Sequence, residues 1–285
     1  MADGSTRGAV LVTGASTGIG RACAEHLDGL GFGVFAGVRK EADADSLRGA
    51  GSARMQPLML DVTDTASVLA TARAIEEAAP AGLRGLVNNA GIAIGGPLEF
   101  VTLGDWRRQL EVNFIGQIAV IQATLPALRR ARGRIVNVTS IGGRVATPFL
   151  SPYSASKFAL EAVTDALRLE LLRFGIEVSA VEPGAVATPM WDKGRASAEE
   201  VSTSLPAEGI ALYGTAIQAM SKGIDRLVSG AVPPLDVAIA VEHALTAHRP
   251  RTRYVVGREA RIRLLLARLL PTRAMDKLTV RVMGI

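Results

Sequence analysis

The sequence predicts one α/β domain in which a parallel sheet of seven strands carries helices on both faces. Three observations lead to this fold class. Apolar runs that stop at glycine alternate with helical segments along the chain, as in parallel sheets joined by right-handed crossovers. With 285 residues, 48% of them hydrophobic, the chain can bury one large core. No internal repeat or low-complexity linker divides it, so residues 1–285 are treated as a single domain.

The first half of the chain alternates between predicted strands and helices. Residues 8–14 (GAVLVTG) form an apolar run that stops at glycine, which is typical of a buried parallel strand. Similar runs predict further strands at 31–38, 55–60 and 84–91. Helices are predicted at 18–30 and 64–79.

The second half continues the alternation. A long helical pattern covers residues 103–131, and Pro126 is a point where this helix can kink. Residues 133–140 predict the fifth strand, and a helix at 152–174 follows it. The remaining elements are two strands and one helix, at 175–184, 253–257 and 235–247.

Residues 188–234 lie where this architecture places a substrate lid, and they are predicted to be irregular because they are rich in Gly, Ser and Ala. The segment holds few charges and many large side chains: Met190, Trp191, Leu205, Ile210, Leu212, Tyr213, Ile217 and Met220. An apolar lid favours an apolar substrate. The alternative is that these side chains only pack the lid onto the body.

The positive charge is concentrated at the C-terminal end. Residues 258–285 contain seven basic and two acidic residues, a net charge of +5, which equals the net charge of the whole chain and leaves residues 1–257 neutral. The neutral body and an aromatic content of only 4% argue against a nucleic-acid-binding protein.

The C-terminal extension, residues 258–285, also contains a basic amphipathic helix that ends at Pro271. Its apolar residues fall at helical spacing: Ile262, Leu265, Leu266, Leu269 and Leu270. Such a helix can lie on an anionic membrane surface. The alternative that we favour is an appended helix that caps the lid or a subunit interface.

The single cysteine, Cys23, excludes an internal disulfide and favours a reducing compartment. We interpret it as a small core residue on a helix. The N-terminal residues show no signal-peptide pattern, and no apolar stretch reaches the ~18 residues of a membrane-spanning helix. A cytoplasmic protein is therefore expected, with membrane association left open.

The segment TGASTGIG (13–20) joins the first predicted strand to the first helix. Glycines allow such a turn to bring backbone amides close to a phosphate. The helix N-terminus offers unpaired N–H groups and the positive end of its dipole to a pyrophosphate. A glycine triplet alone is weak evidence, but its place between strand and helix favours a dinucleotide site over a purely structural turn.

The end of the second strand lacks the acidic residue that usually binds the adenosine ribose. Val38 is followed there by Arg39. A carboxylate would repel a 2′-phosphate, whereas arginine attracts it, so the sequence favours NADP(H) and leaves NAD(H) open. The alternative for Arg39 is an ordinary solvated side chain.

Tyr153 lies four residues before Lys157 in SPYSASKFALEA, a mildly unusual pair in a chain with three tyrosines. Four residues place both side chains on one face of a helix. The pair is either a surface pair or a device for proton transfer, and composition alone does not decide. Ser151 and Pro152 are predicted to cap and begin this helix.

Together these motifs resemble a known family. Their order along the chain is Thr13-Gly14-x-x-x-Gly18-x-Gly20, Asp61, Asn88-Asn89-Ala90-Gly91, Asn113, Ser140, Tyr153-x-x-x-Lys157 and Pro183-Gly184. This combination resembles the short-chain dehydrogenases/reductases over residues 8–190. The segments around Tyr153 and VEPGAVATPM most resemble the branch of 17β-hydroxysteroid and retinol dehydrogenases, and Glu182, where many members have asparagine, fits that branch.

The resemblance implies a Rossmann fold and four catalytic residues. Tyr153 would exchange a proton with the substrate oxygen while hydride moves to or from the nicotinamide. A cation about 4 Å away at an effective dielectric constant near 20 contributes about 4 kcal/mol, so Lys157 would lower the pKa of Tyr153 from near 10 toward working pH. Lys157 would also bind the nicotinamide ribose. Ser140 would hydrogen-bond the substrate oxygen, and Asn113 would hold a water linked to Lys157; their alternatives are a turn cap and a buried structural amide.

The resemblance also implies the cofactor contacts, and no metal site. The phosphate loop would use Gly14, Ser16, Thr17, Gly18, Ile19 and Gly20. The adenosine side would use Arg39, Asp61, Val62, Asn89, Ala90 and Gly91, with Asp61 alternatively a helix cap. The nicotinamide side would use Tyr153, Lys157, Pro183, Gly184, Val186 and Thr188.

The expected function is therefore an NAD(P)-dependent oxidoreductase that interconverts a steroid-like, retinoid-like or other lipophilic alcohol with its ketone or aldehyde. The first alternative is a 3-ketoacyl-thioester reductase, although those relatives usually end soon after the last strand. The second is a dinucleotide-binding regulator without catalysis, which the intact set of four catalytic residues argues against. The family also implies a homodimer or homotetramer.

Overall fold

Seven parallel strands form one sheet in the order β3-β2-β1-β4-β5-β6-β7 in the computed structural model, which describes residues 7–191 and 205–285. The strands are β1 Ala9–Val12, β2 Gly33–Val38, β3 Met55–Met59, β4 Leu83–Asn88, β5 Arg134–Val138, β6 Glu177–Pro183 and β7 Arg253–Val256. The strand order reverses between β1 and β4, which opens a crevice at their carboxyl ends. The predicted doubly wound fold with seven parallel strands is confirmed.

Ten α-helices among the described residues connect or follow these strands. They are α1 Gly18–Gly29, α2 Glu41–Ala50, α3 Thr65–Ala78, α4 Leu103–Leu110, α5 Gly116–Ala131, α6 Ser151–Glu170, α7 Ala207–Ser229, α8 Pro234–Thr246, α9 Arg258–Leu269 and α10 Thr272–Met283. None of these helices is long and apolar enough to cross a lipid bilayer.

Alternate residues of each strand feed two cores, one on either face of the sheet. In β1, Val10 and Val12 join the core beneath α1 and α8, where Cys23 also lies, fully buried as predicted. Leu11 points the other way into the core beneath α3 and α5. Burial raises the pKa of the Cys23 thiol to about 12, so the residue is a core side chain and not a thiolate.

The structure differs from the sequence prediction at two helices in the first half of the chain. Helix α2 was not predicted, because only Ala44 and Leu47 of its polar sequence are buried. The predicted helix 103–131 is interrupted by a π-helical turn at Glu111–Ile115, while Pro126 lies inside α5.

The prediction that the lid is irregular is wrong for its described part, because α7 runs through it despite several glycines. One of them, Gly209, lies in α7 against Phe100, where a Cβ would be 3.0 Å from the ring. This contact shows how tertiary packing overrides a low helix propensity. The extension contains a second helix, α10, that the sequence pattern did not predict.

Candidate active site

Tyr153 and Ser140 meet at the carboxyl ends of the strands. Ser140 follows β5 and begins a 3₁₀ turn, where its Oγ accepts the Gly142 N–H (3.0 Å), so the predicted alternative as a turn cap is also realised. The Tyr153 hydroxyl forms a hydrogen bond with the Ser140 side chain. Gly142 lies so close to the Tyr153 ring that a Cβ would be 3.3 Å from Cε1, so the turn fixes the ring as well as the hydroxyl.

The pKa of Tyr153 is raised, because burial of the phenol outweighs the hydrogen bond from Ser140 that lowers it. The sequence predicts the opposite direction, on the assumption that the Lys157 ammonium lies about 4 Å from the phenol. In the structure Lys157 Nζ is 5.9 Å from the centroid of the Tyr153 ring and donates to the Val138 carbonyl (2.8 Å). The ammonium is thus directed at the end of β5.

Lys157 is itself almost fully buried, with 4% of its surface exposed. Burial lowers its pKa to about 8, and the nearby Glu161 carboxylate opposes this effect. The ammonium is therefore in a position where a change in one neighbouring charge alters its protonation near neutral pH.

Asn113 lies in the π-helical turn and is fully buried. Its Oδ1 accepts the Ile92 N–H (2.8 Å), and its Nδ2 donates to the Ile92 carbonyl (2.9 Å) and to Ser156 Oγ (3.3 Å). Ser156 Oγ in turn donates to the Tyr153 carbonyl (2.7 Å). Asn113 thus joins the loop after β4 to the first turn of α6, and its predicted role in holding a water stays a prediction.

Backbone contacts fold the glycine loop tightly against the segment after β4. Gly14 has a φ of +65°, and a Cβ there would be 2.9 Å from the Ala90 Cα. The N–H groups of Asn89 and Ala90 both donate to Thr13 Oγ1 at 2.9 Å. Asn89 Nδ2 donates to the carbonyls of Thr13 (3.0 Å) and Gly14 (3.2 Å). Gly91 ends this segment beside Asn113, where a Cβ would be 3.4 Å from Oδ1.

The N-terminus of α1 fits the pyrophosphate of a dinucleotide. Thr17 is its N-cap residue but forms no side-chain cap, and the first turn contains no acidic residue, so the first amides face no competing carboxylate of the helix. Gly18 has a φ of +58° and contacts Thr188, where a Cβ would be 3.0 Å from Cγ2. Ser16, Thr17, Gly18, Ile19 and Gly20 thus surround the start of α1, with Thr188 beside them.

The ends of β2 and β3 bring together Arg39, which is exposed, and Asp61. Partial burial acts to raise the pKa of Asp61, but its hydrogen bonds from Thr63 and the charge of Arg39 together lower it. Asp61 is not the cap of α3, because Asp64 accepts the Ala66 N–H there (2.9 Å). Val62 is buried beside Asp61.

The carboxyl end of β6 continues into a short irregular segment. Pro183 ends the strand, and Gly184 packs against α9, where a Cβ would be 3.0 Å from the Ala260 Cβ. Val186 pairs with Val232 ahead of α8, and Trp191 Nε1 donates to the Val186 carbonyl (2.6 Å). The segment predicted to face the nicotinamide therefore packs against α9 of the extension. No sequence motif predicts this contact.

An aromatic contact joins α7 of the predicted lid to the segments before α4 and α6. The Tyr213 ring meets Phe100 and Phe149 edge-on, with ring centroids 6.1 Å apart in both pairs, and its hydroxyl is hydrogen-bonded to Glu99. Sequence reasoning missed Phe100 and Phe149, since neither belongs to a motif. Phe149 lies two residues before the start of α6 at Ser151, and its backbone takes a φ of +63°.

The described part of the predicted lid places its apolar residues unevenly. Leu205 is buried, whereas Met190, Ile210 and Leu212 are at least 40% exposed. Ile217 and Met220 are partly buried in α7, and residues 192–204 of the lid lie outside the described part.

A cavity of about 760 Å³ lies between α8, β7 and α9. None of the predicted catalytic or cofactor residues is among its described lining residues. The described residues also contain no group of three or more His, Cys, Asp and Glu side chains placed to hold a metal ion. The candidate active site is therefore the crevice at the carboxyl ends of β1, β4, β5 and β6.

Two curated relatives match nearly the whole chain. Mouse retinol dehydrogenase 5 is 40% identical over 274 residues, covering 94% of this chain and 86% of the relative. Bovine 17-beta-hydroxysteroid dehydrogenase type 6 is 40% identical over 281 residues, covering 95% of this chain and 87% of the relative.

Two solved structures share the fold over most of their length. A short-chain dehydrogenase/reductase from Burkholderia phymatum in complex with NAD is 28% identical with a TM-score of 0.76, covering 94% of this chain and 96% of the other. An actinorhodin polyketide ketoreductase variant with NADPH is 31% identical with a TM-score of 0.73, covering 90% and 98%. The short chain dehydrogenase family model matches residues 8–199, and the chain belongs to this family of oxidoreductases.

Proposed function

We propose that this short-chain dehydrogenase interconverts a lipophilic secondary or allylic alcohol and its ketone or aldehyde, with NADP(H) as the hydride carrier. The observation that carries the proposal is the hydrogen-bonded pair of Ser140 and Tyr153 after β5, at the same edge of the sheet as the glycine loop that follows β1. A hydroxyl that can donate a proton and a second hydroxyl that orients the same oxygen are the groups that carbonyl reduction needs.

The bound nicotinamide supplies or accepts the hydride, and the protein handles the proton. In reduction the Tyr153 hydroxyl gives its proton to the carbonyl oxygen as hydride reaches the carbonyl carbon. In oxidation the phenolate takes the proton from the alcohol. Burial raises the pKa of Tyr153, so the phenol is protonated at neutral pH and ready for reduction.

The substrate class is argued from the lid and from the relatives. Aromatic rings of Phe100, Phe149 and Tyr213 meet where α7 contacts the segments before α4 and α6, and an apolar lining there suits an apolar substrate. The relatives named for retinol and hydroxysteroid oxidation are 40% identical, compared with 31% for the polyketide ketoreductase. A 3-ketoacyl-thioester reductase stays the second candidate within enzymes.

The cofactor is a nicotinamide dinucleotide, since the glycine loop fits its pyrophosphate and the two similar structures contain NAD and NADPH. The preference for NADP(H) is supported by exposed Arg39 at the end of β2. The charge of Asp61 acts on Arg39 from nearby, so NAD(H) is the alternative that the experiment must include.

Turnover with a substrate panel tests the proposed function. Wild type is assayed with NADPH, NADP, NADH and NAD against a steroid, a retinoid, a 3-ketoacyl thioester and a small hydroxy acid. Replacing Tyr153→Phe should lower kcat by ~10²–10⁴-fold, the usual contribution of a general acid or base, without weakening cofactor binding.

The matched control is Tyr254→Phe, which removes a phenolic hydroxyl that bonds His243 (2.8 Å) away from the site. This variant should retain wild-type turnover. If Tyr153→Phe is as active as wild type on every substrate, Tyr153 is not the proton donor. Activity on the thioester alone would favour the second candidate, and no turnover at all would favour a regulator.

Assembly and location stay predictions. The exposed basic and apolar residues of α9 support contact with an anionic membrane surface. Strand β7 forms an open edge of the sheet, which supports assembly into a homodimer or homotetramer. Light scattering of the purified chain and sedimentation with anionic vesicles measure the two properties separately.

A further inference from the structure

A buried carboxylate, Glu161, lies one helical turn beyond Lys157 on α6. Four residues separate the two, so they share a face of the helix, and their exposed fractions are only 5% and 4%. Glu161 Oε1 is buried and has no hydrogen-bond partner among the described residues. A buried carboxylate oxygen without a donor is costly, so its position calls for a reason beyond packing.

Arg253, on β7, holds the other oxygen of this carboxylate. Its Nε and Nη2 donate to Glu161 Oε2 at 3.2 and 3.0 Å. The same guanidinium contacts Asp165 (2.7 Å) and Glu182 (3.0 Å). Arg144 also pairs with Glu182 (3.0 Å). Glu161 is thereby held in position by β7, the strand whose Val256 carbonyl also accepts the Gly184 N–H (3.0 Å).

Among the described groups around Lys157, the Glu161 carboxylate is the anion whose charge acts on the ammonium directly. On α6 these groups are Tyr153 and Glu161. The π-helical turn contributes the neutral amide of Asn113, and the 3₁₀ turn Ile141–Gly143 contributes no ionisable side chain. Across the sheet, Glu182 is already paired with two arginines.

We propose that Glu161 is a positioning residue that keeps the buried Lys157 protonated, so that a cation stays beside Tyr153 during proton transfer. The inference rests on the proposed function, in which Tyr153 is the proton donor. Two directions of change support it: burial lowers the pKa of Lys157 to about 8, and the Glu161 charge opposes that fall. Glu182, the residue noted in the sequence as a branch marker, helps to fix Arg253 and through it Glu161.

The sign of the effect on pH dependence is fixed. Removing a negative charge lowers the proton affinity of every group near it, so Glu161→Gln lowers the pKa of both Lys157 and Tyr153. Reduction needs both groups protonated, and its rate falls as pH rises through the lower of the two pKa values. The alkaline limb of kcat/KM for reduction should therefore move to lower pH in Glu161→Gln, by about one pH unit.

Asp165→Asn is the matched control. It also removes one carboxylate from Arg253, a partner at 2.7 Å on the same helix, but its side chain is 44% exposed and lies two turns from Lys157. If Glu161 serves only to hold Arg253, the two variants should behave alike. If the inference is right, only Glu161→Gln moves the limb, and Glu161→Asp moves it less in the same direction.

A second measurement does not depend on turnover. The chain has five lysines, so selective ¹³C labelling at Cε gives five NMR signals, and Lys157→Arg identifies the one from Lys157. The titration midpoint of that signal should fall in Glu161→Gln and stay unchanged in Asp165→Asn. An equal midpoint in wild type and Glu161→Gln overturns the inference, as does an equal fall in both variants. If Glu161→Gln does not fold, the same comparison is made with Glu161→Asp.

The two proposals fail separately. A lower Lys157 midpoint in Glu161→Gln together with a Tyr153→Phe variant of full activity supports the electrostatic role and contradicts the proposed function. An active enzyme that loses turnover on Tyr153→Phe but keeps its Lys157 midpoint in Glu161→Gln contradicts only the inference about Glu161.

Discussion

At the scale of single residues, burial favours the neutral form of both Tyr153 and Lys157. It raises the pKa of Tyr153 and lowers that of Lys157 to about 8. A buried phenol ionises only beside a cation, and a buried ammonium stays charged only beside an anion. Ser140 and Glu161 therefore matter because each one favours the charged form of its neighbour.

Arg39 is the residue that we expect to decide the choice of cofactor. Arg39→Ala should weaken NADPH binding by about tenfold or more, because a charged contact to the 2′-phosphate is lost, and should change NADH binding little. Fluorescence titration with both cofactors measures the ratio of the two dissociation constants. An unchanged affinity for NADPH would show that Arg39 is only a solvated side chain engaged by Asp61.

The resemblance to the family, carried by the order and spacing of the motifs, was needed to name Asn113, Ser140, Tyr153 and Lys157, and their catalytic roles stay predictions. It was not enough to place their polar atoms. The direction of Lys157 Nζ toward Val138, and the use of the Asn113 amide by Ile92, depend on backbone groups that any sequence carries. Glu161 was missed because a carboxylate on a helix is usually solvent-exposed.

At the scale of elements, the π-helical turn between α4 and α5 explains how Asn113 reaches α6. A π turn adds one residue to a helical turn and so rotates the side chains around it, and such turns are frequent at functional sites. The hydrophobic pattern of 103–131 continues through the turn, so periodicity predicts an unbroken helix. The interruption is visible only where the Asn113 amide meets Ile92 and Ser156.

Helix α1 offers a matched pair of glycines for testing the phosphate loop. A Cβ at Gly20 would overlap the Gly14 carbonyl oxygen, whereas nothing lies within 4 Å of a Cβ at Gly29. Gly20→Ala should lower the free energy of unfolding by ~1–3 kcal/mol and weaken dinucleotide binding, because the loop must move. Gly29→Ala should raise the free energy of unfolding by up to ~1 kcal/mol and leave dinucleotide binding unchanged.

Thermal melting with and without NADPH measures both effects. Equal melting temperatures and equal NADPH affinities in the two variants would show that the loop and α1 are not packed as described. The contrast is informative because both substitutions add the same methyl group to the same helix.

At the scale of the whole molecule, the extension divides into a face that supports the site and a face that meets solvent. Ala260 is buried against Gly184, and Arg263 Nη2 donates to Thr147 Oγ1 (2.9 Å) and to the Ala146 carbonyl (3.3 Å). Those contacts reach both the nicotinamide side and the loop between Ser140 and α6. The sequence predicted the basic amphipathic helix but not the surface against which it packs, because that packing depends on residues far apart in the chain.

Alanine substitutions of Arg263 and Arg268 test the two faces of the extension separately. Arg263→Ala removes two hydrogen bonds to the loop before α6, so KM for the substrate should rise by about tenfold, equivalent to ~1.4 kcal/mol and close to the value of one hydrogen bond to a charged group. Affinity for the dinucleotide should stay unchanged, because the glycine loop follows β1, whereas Arg263 contacts the segment between β5 and α6. Arg268→Ala removes the same charge from an exposed position of α9 and should leave KM as in wild type. Steady-state kinetics of both variants decide the question. A KM that rises in Arg263→Ala alone would mean that α9 is a structural wall of the substrate site. An equal rise in both would mean that the extension acts only through its net charge, and wild-type KM values in both would contradict the role of Arg263.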